Sequence, residues 1–305
     1  MIRKVLIATD FSERSARAEV RAAMLSRELG SDSAVLCNVM EPGVASALAH
    51  VSDLSEPEAE KILNDQATQE LARRACEIEK DHGLRCATRL RFGFPAQELA
   101  LQAEEMDADL IVVGAHGQSF ISRMFLGNTA DKLARLDQRP LLVVRKEPLQ
   151  PYRNILVPVD FSEDSRLAAR LAVKLEPQAV FNFLHVYQVW FEGHMRYANV
   201  SEETVRSYRV RAREQARVQL NQFIDDLHVE DAHAVRSLVH GSAGHAVLEF
   251  AEKTQPDLIV MGKHGRSRFE ELLVGSVTRN LLDQTESDML IVRAPNAGRA
   301  LPPLE

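Results

Sequence analysis

Cysteine is scarce in this chain: three in 305 residues, Cys37, Cys76 and Cys86, with no metal-ligand or redox-pair spacing among them. That excludes a disulfide-stapled secreted domain and a cysteine-ligated zinc centre, and it points to a reducing compartment. Cys37, inside the apolar run Ala34 to Cys37, reads as a small core residue. Long hydrophobic runs are missing too, since none approaches the roughly 20 residues of a membrane span. Met1 leads through Arg3 and Lys4 into a strand-like run too short and too polar for a secretory signal. The expectation is a soluble, cytoplasmic protein with no membrane insertion. An excess of basic charge is also lacking: 37 Lys and Arg against 44 Asp and Glu leave a net charge of −7. Nucleic acid is therefore not an expected partner. The one local basic stretch, Arg206 to Arg217, is interleaved with Ser207, Tyr208, Val210 and Glu214 at helical spacing and reads as a solvated helix face.

Familiar catalytic signatures are absent as well. There is no Walker lysine motif and no nucleophile with an evident base. A Rossmann dehydrogenase would carry its glycine cluster after the first strand, where this chain reads Asp10-Phe11-Ser12-Glu13.

What is present is a duplication. Asp-Phe-Ser-Glu follows a short apolar run at Asp10 and again 150 residues later at Asp160. Each half then carries Gly-x-x-Gly, nine residues, and Gly, at Gly114, Gly117 and Gly127 and at Gly262, Gly265 and Gly275. The period is too long for a solenoid unit and implies duplication of a whole domain, 1–149 and 150–305. Glu147-Pro148-Leu149-Gln150-Pro151 is the linker, short and stiffened by two prolines.

Short apolar runs predict strands buried on both faces at Val5 to Ala8, Ala34 to Val39, Leu110 to Val113 and Leu141 to Val144, with a third strand at Thr88 to Arg91. The second half repeats them at Ile155 to Val159, Val180 to Val186, Val235 to Val239, Leu258 to Met261 and Met289 to Val292. Helices are expected between them: after Ser12 and Ser162, after the capping box Ser55 with Glu58, from near Ser201 to about Leu227, from Ala96 and His245, and from Gly127 and Gly275. Only a polar connection is expected between the second strand and the longer helix. Strands alternating with helices imply an α/β fold of doubly wound sheets, with ligands at the carboxyl ends of the strands where strand order reverses.

Both motifs fall at those carboxyl ends. A glycine turn followed by Gly275 and Ser276 at a helix start would let backbone N–H groups and the helix dipole share one set of phosphate oxygens, with Arg266 adding charge. Asp10 and Asp160 can accept hydrogen bonds from ribose hydroxyls, or serve as turn residues before Ser12 and Ser162. His116 and His264 sit inside the two turns, where an imidazole touches phosphate, organises a metal, or is simply an exposed loop residue. His240 and His245 are unconvincing zinc ligands across a glycine-containing loop, and no metal site is expected. The aromatic group Phe183, Tyr187, Trp190, Phe191 and Tyr197 reads as core and lid packing, with a flap over the nucleotide or a partner-binding patch as alternatives.

In these motifs the chain resembles the universal stress protein family over nearly its whole length, as a tandem pair. The matching residues are Ile155-Leu156-Val157-Pro158-Val159-Asp160-Phe161-Ser162, Leu184-His185-Val186, Asp257 to Gly262, and Gly262-x-x-Gly265-x9-Gly275-Ser276. The first half matches at Val5 to Ser12, Cys37-Asn38-Val39, and Gly114-x-x-Gly117-x9-Gly127. The resemblance implies a five-stranded parallel sheet per domain, akin to the adenine nucleotide alpha hydrolases, two domains forming a pseudo-dimer, and ATP, with Mg as companion ion, as ligand. Pro158, Val159, Asp160, Val186, Met261, Gly262, His264, Gly265, Arg266, Gly275, Ser276 and Val277 would form the main site. Thr9, Asp10, Val39, Val113, Gly114, Gly117, Gly127, Asn128 and Thr129 would form a weaker one, because Asn128 replaces the Ser/Thr and Gln118 stands where the second half has Arg266. The function implied is ATP-dependent regulation in a stress response through an unidentified protein partner, with the tandem chain able to form a homodimer. The alternatives are a slow ATP hydrolase, although the Ser-Gly-Gly loop of ATP-activating relatives is missing after the first strand, and a scaffold that binds no nucleotide.

Overall fold

The apolar runs and amphipathic stretches alternate as strands and helices in a computed structural model that describes residues 2–31, 33–115, 128–189, 201–264 and 274–294. Contacts group these residues into two units: 2–151 with Asp288–Ile291, and Tyr152–Ser287 with Val292–Ala294.

The first unit runs β1 (Lys4–Ala8), α1 (Glu13–Leu29), β2 (Ser33–Met40), α2 (Val44–Val51), α3 (Glu56–His82), β3 (Cys86–Phe92), α4 (Pro95–Glu105), β4 (Leu110–Gly114), α5 (Asn128–Leu136) and β5 (Leu141–Val144). β1 lies between β2 and β4, β3 pairs with β2, β5 pairs with β4, and every one of these ladders is parallel. Strand order reverses between β1 and β4, which opens a crevice at their carboxyl ends.

The second unit repeats the pattern with β6 (Asn154–Pro158), α6 (Glu163–Leu175), β7 (Val180–Tyr187), α7 (Glu202–Asp225), β8 (Ala234–His240), α8 (Ala243–Thr254), β9 (Leu258–Gly262) and α9 (Ser276–Gln284). β6 lies between β7 and β9, β8 pairs with β7, and these ladders are parallel. A last strand, β10 (Asp288–Val292), follows. Its residues Asp288–Ile291 group with the first unit, where Leu290 stands opposite Leu142 of β5 in an antiparallel ladder.

The continuous apolar runs are explained by burial on both faces. Leu6, Ile7, Ile111 and Val112 in the first unit, and Ile155, Leu156, Ile259 and Val260 in the second, expose nothing to solvent. Small residues let the first helix of each unit lie close on its sheet: Ala18, Ala22 and Ala23 in α1, and Ala168, Ala169 and Ala172 in α6, are completely buried. The outer strands β3 and β8 are mostly half-buried or exposed, as edges are, and in β3 the two classes largely alternate.

Local signals act as the sequence suggests. Ser12 Oγ accepts from Ser15 N at 3.1 Å and Ser162 Oγ from Ser165 N at 3.2 Å, capping α1 and α6. Gly30, at φ 62°, ends α1 in the left-handed conformation that glycine adopts without strain. Glu58 accepts from Ser55 N at 2.9 Å, completing the capping box of α3. Asp109 Oδ2 accepts from Arg3 N and Lys4 N, and Asp257 Oδ2 from Arg153 N and Asn154 N, so in each unit one carboxylate ties the entry of the central strand to the entry of its neighbour.

The connection expected to be merely polar contains α2, an eight-residue helix whose Val-Ala-Ser-Ala-Leu-Ala composition favours helix. Arg206, Arg211, Arg213 and Arg217 are exposed on α7, a solvated face as expected.

Candidate functional site

At the carboxyl end of the central strand, each unit makes the same sharp turn. Asp10 Oδ1 accepts from Ser12 N at 3.1 Å and from Ser12 Oγ at 2.6 Å; Asp160 Oδ1 does the same for Ser162, at 3.0 and 2.6 Å. One carboxylate oxygen of each aspartate thus holds the turn. Between each pair stands a phenylalanine in the left-handed region, Phe11 at φ 65° and Phe161 at φ 66°. A bulky residue there costs about 1–2 kcal/mol, so its surroundings must hold it.

The supports differ. Phe161 packs against His185 at 4.4 Å between ring centroids and against Phe223 at 5.9 Å, and the Arg166 guanidinium covers Phe223. His185 Nδ1 lies 2.7 Å from Val159 O; the carbonyl can only accept, so this nitrogen carries the proton. In the first unit, Arg74 lies over the Phe11 ring and donates to Phe11 O at 2.7 Å. Arg74 also bonds Glu19 at 2.7 Å and Glu70 at 2.9 Å, while Thr9 Oγ1 donates to Glu19 at 2.6 Å. Burial pushes the Glu19 carboxyl above its ordinary range, opposed by the Thr9 hydrogen bond and the Arg74 charge. Val159 and Ala169 occupy the places of Thr9 and Glu19, so nothing ionic forms at that position of the second unit.

The end of β9 meets the start of α9 through short backbone contacts. Gly275 N donates to Lys263 O at 2.9 Å, and Thr278 Oγ1 donates to Gly262 O at 3.0 Å. Gly275 is the N-cap of α9 and provides no side-chain cap. A methyl group at Gly275 would lie 3.1 Å from Lys263 O, and one at Gly262 would lie 2.7 Å from Asp164 Cβ. Asp164, in the first turn of α6, is almost wholly buried; it accepts from His264 N at 3.1 Å and Ala294 N at 2.9 Å, and its Oδ2 is 3.4 Å from His264 Nδ1. His264 Nε2 is buried without a hydrogen-bond partner among the described residues. Lys263 is buried as well, its N–H bonded to Val292 O at 2.7 Å.

Of the residues expected in the main site, Pro158, Val159, Met261 and Gly262 are buried at the strand ends; Asp160, Val186, His264, Gly275 and Val277 are half-buried, and Ser276 is exposed. The bond from Val159 N to Leu184 O ties the end of β6 to β7 beside Val186. In the first unit Thr9 and Val113 are buried, Asp10, Val39, Gly114 and Thr129 are half-buried, and Asn128 begins α5. Gly265, Arg266, Gly117, Gly127, His116 and the aromatics Trp190, Phe191 and Tyr197 lie outside the described residues. Phe183 is core, and the Tyr187 ring lies tilted against His240 with centroids 5.3 Å apart.

Sequence reasoning missed Asp164, Lys263, Thr278 and the Glu19–Arg74 pair. A signal existed for two of them in the alignment of the halves, where Asp164 faces Arg14 and Thr278 faces Ala130. Cys37 is buried, and desolvation pushes its thiol up to about 12, which leaves it inert at neutral pH. A separate groove of 830 Å³ lies between α7 and β8, lined by Val210, Arg213, Arg217, Leu220 and Arg236 among others, away from the glycine turns.

Comparison with known proteins agrees with this geometry. The universal stress protein family pattern matches residues 1–145 and again 151–293. Universal stress protein YxiE of Bacillus subtilis is 31% identical over 148 residues, spanning 48% of this chain and 100% of its own. A universal stress protein of Mycolicibacterium smegmatis is 25% identical over 299 residues, 95% of this chain and 96% of that one. The crystal structure of a universal stress protein from Archaeoglobus fulgidus covers 96% of this chain and 99% of that chain at a TM-score of 0.68, with 17% identity, a likeness of fold. With two matching domains in tandem, each carrying the same turn and glycine spacing, the chain belongs to the universal stress protein family.

Proposed function

We propose that this protein binds ATP, with Mg accompanying the phosphates, chiefly in the second of two domains, 1–149 and 150–305. Its occupancy would regulate association with a protein partner in the cytoplasmic stress response. The observation that carries this reading is the juncture of β9 and α9. A helix begins at a glycine with no side-chain cap, bonded directly to the backbone of the turn that follows the central crevice. The first N–H groups of such a helix, with its dipole, favour anionic oxygens. Gly262 and Gly275 both lie where a Cβ would press on neighbouring atoms.

The residues fit an adenine nucleotide in other respects. Val159, Val186 and Met261 offer apolar wall at the strand ends, and Asp160 sits at the turn where a ribose would be recognised. Gly262, His264, Gly275, Ser276 and Val277 would hold the phosphates, joined by Gly265 and Arg266 by motif. When bound, the nucleotide supplies the charge that distinguishes occupied from empty protein at this surface. In the first domain Thr9 is engaged by Glu19, and Asn128 replaces the serine, so binding there should be weaker.

Mass spectrometry of purified, denatured protein tests the reading: adenine nucleotide should co-purify, and Gly275→Val with Ser276→Ala should lose it. A wild-type protein that carries none, and releases no heat when titrated with ATP, would overturn it.

A further inference from the structure

We infer that Asp164 is a positioning residue for polyphosphate recognition, acting through His264. The inference rests on the nucleotide reading above and assigns a role to a residue outside the glycine motif. Asp164 and His264 are 100 positions apart in sequence, yet one carboxylate oxygen faces both the backbone N–H of His264, at 3.1 Å, and its Nδ1, at 3.4 Å. The other oxygen accepts from Ala294 N at 2.9 Å, so the carboxylate cannot rotate away without losing a partner. The Asp164 side chain is 5% exposed and that of His264 12%, which removes competing water from the pair.

The chemistry follows from the inventory of an imidazole. A carboxylate only accepts, so the proton that stabilises the pair is on Nδ1. That leaves Nε2 as the functional end, and it is buried with no hydrogen-bond partner among the described residues. An imidazole with a proton on each nitrogen donates to a carboxylate through one and to an anionic oxygen through the other. The neighbouring feature is the N-terminus of α9: a Cβ built at Gly275 would lie 3.7 Å from His264 Cα. Asp164 therefore sets both the backbone of the turn and the ring orientation beside an uncapped helix start. The first half has Arg14, not a carboxylate, at the position that aligns with Asp164.

Isothermal titration with ATP, AMP and adenosine, on wild type, Asp164→Asn, His264→Gln and the double variant, tests this. Asp164→Asn should weaken ATP by about tenfold, the worth of one charge-assisted hydrogen bond, while adenosine stays within about twofold. In the His264→Gln background the same change should add little, because the two residues act as one unit. Equal weakening of ATP and adenosine, or no weakening of either, overturns the inference, as does full additivity of the two variants. If Asp164→Asn fails to fold, His264→Gln alone decides, and an unchanged ratio of ATP to adenosine affinity overturns it. A wild type that binds none of the three defeats the nucleotide reading and this inference together; a wild type that binds, with Asp164→Asn indistinguishable from it, defeats this inference only.

Discussion

The turn after the central strand is the same in both units, but its support is ionic in the first and aromatic in the second. Phe11 is held under Arg74, which is itself fixed by Glu19 and Glu70. Phe161 is held between His185 and Phe223. Both solutions keep a left-handed phenylalanine in place, and both leave the following serine free to cap its helix. They differ in what they leave at the strand end: Thr9 donates its hydroxyl proton to Glu19, whereas Val159 presents only methyl groups. A duplicated fold can thus conserve a backbone turn while the chemistry beneath it diverges. The glycine turn diverges in the same sense, with Asp164 and Thr278 bracing it in the second unit where the first has Arg14 and Ala130.

The contrast can be broken at three points. The largest effect should come from alanine at the strand-end glycines. At Gly262 the new methyl group would sit 2.7 Å from Asp164 Cβ and 2.9 Å from its carbonyl carbon, while at Gly114 the nearest atom, Arg14 O, is 3.1 Å away. Gly262→Ala should destabilise the second unit by about 3 kcal/mol and Gly114→Ala the first by about 1 kcal/mol. Denaturant-dependent hydrogen exchange of β1, β4, β6 and β9 peptides resolves the units, and equal losses would erase the asymmetry.

Next is Glu19→Ala, which strands Arg74 and the Thr9 hydroxyl and should cost about 2 kcal/mol. The effect should be confined to the first unit, and Glu19→Gln should recover part of it by keeping an acceptor for Thr9. Exchange in α1 and β1 peptides measures both, and a silent Glu19→Ala would mean the ionic brace contributes nothing. Smallest is Thr278→Ala, which removes one buried hydrogen bond to Gly262 O and should cost about 1 kcal/mol. The reciprocal Ala130→Thr tests whether the first unit can accept the same tether. A gain in the melting temperature there would show that the difference lies in one hydroxyl group.

Much of the architecture was legible because it rests on local pattern. Continuous apolar runs such as Leu110–Val113 marked strands buried on both faces, Ser12 and Ser162 marked helix starts by side chains that accept from the backbone three residues on, and Ser55 did so through the Glu58 carboxylate that accepts its N–H. α2 escaped because a segment of eight residues, none of them buried, is too short for its pattern to stand out from a connection. The final strands, Leu141 to Val144 and Met289 to Val292, read as apolar edges that need covering, with pairing to each other as the family-like solution, and the ladder between β5 and β10 has that pairing in the antiparallel sense. Within the site, the glycines were readable by spacing, whereas nothing in the sequence marks Lys263 as buried.

The sequence by itself determined the duplication, the alternation of strand and helix, the glycine spacing and the family, because these are properties of residue type and of separation along the chain. Tertiary structure alone decided which residues share a carboxylate and which ring supports a strained turn. Asp164 meets His264, Arg74 meets Phe11, and Phe223 meets Phe161 across 100, 63 and 62 positions. Such pairings depend on the packing of helix against strand end, and a side chain's identity does not reveal the partner that packing will bring to it.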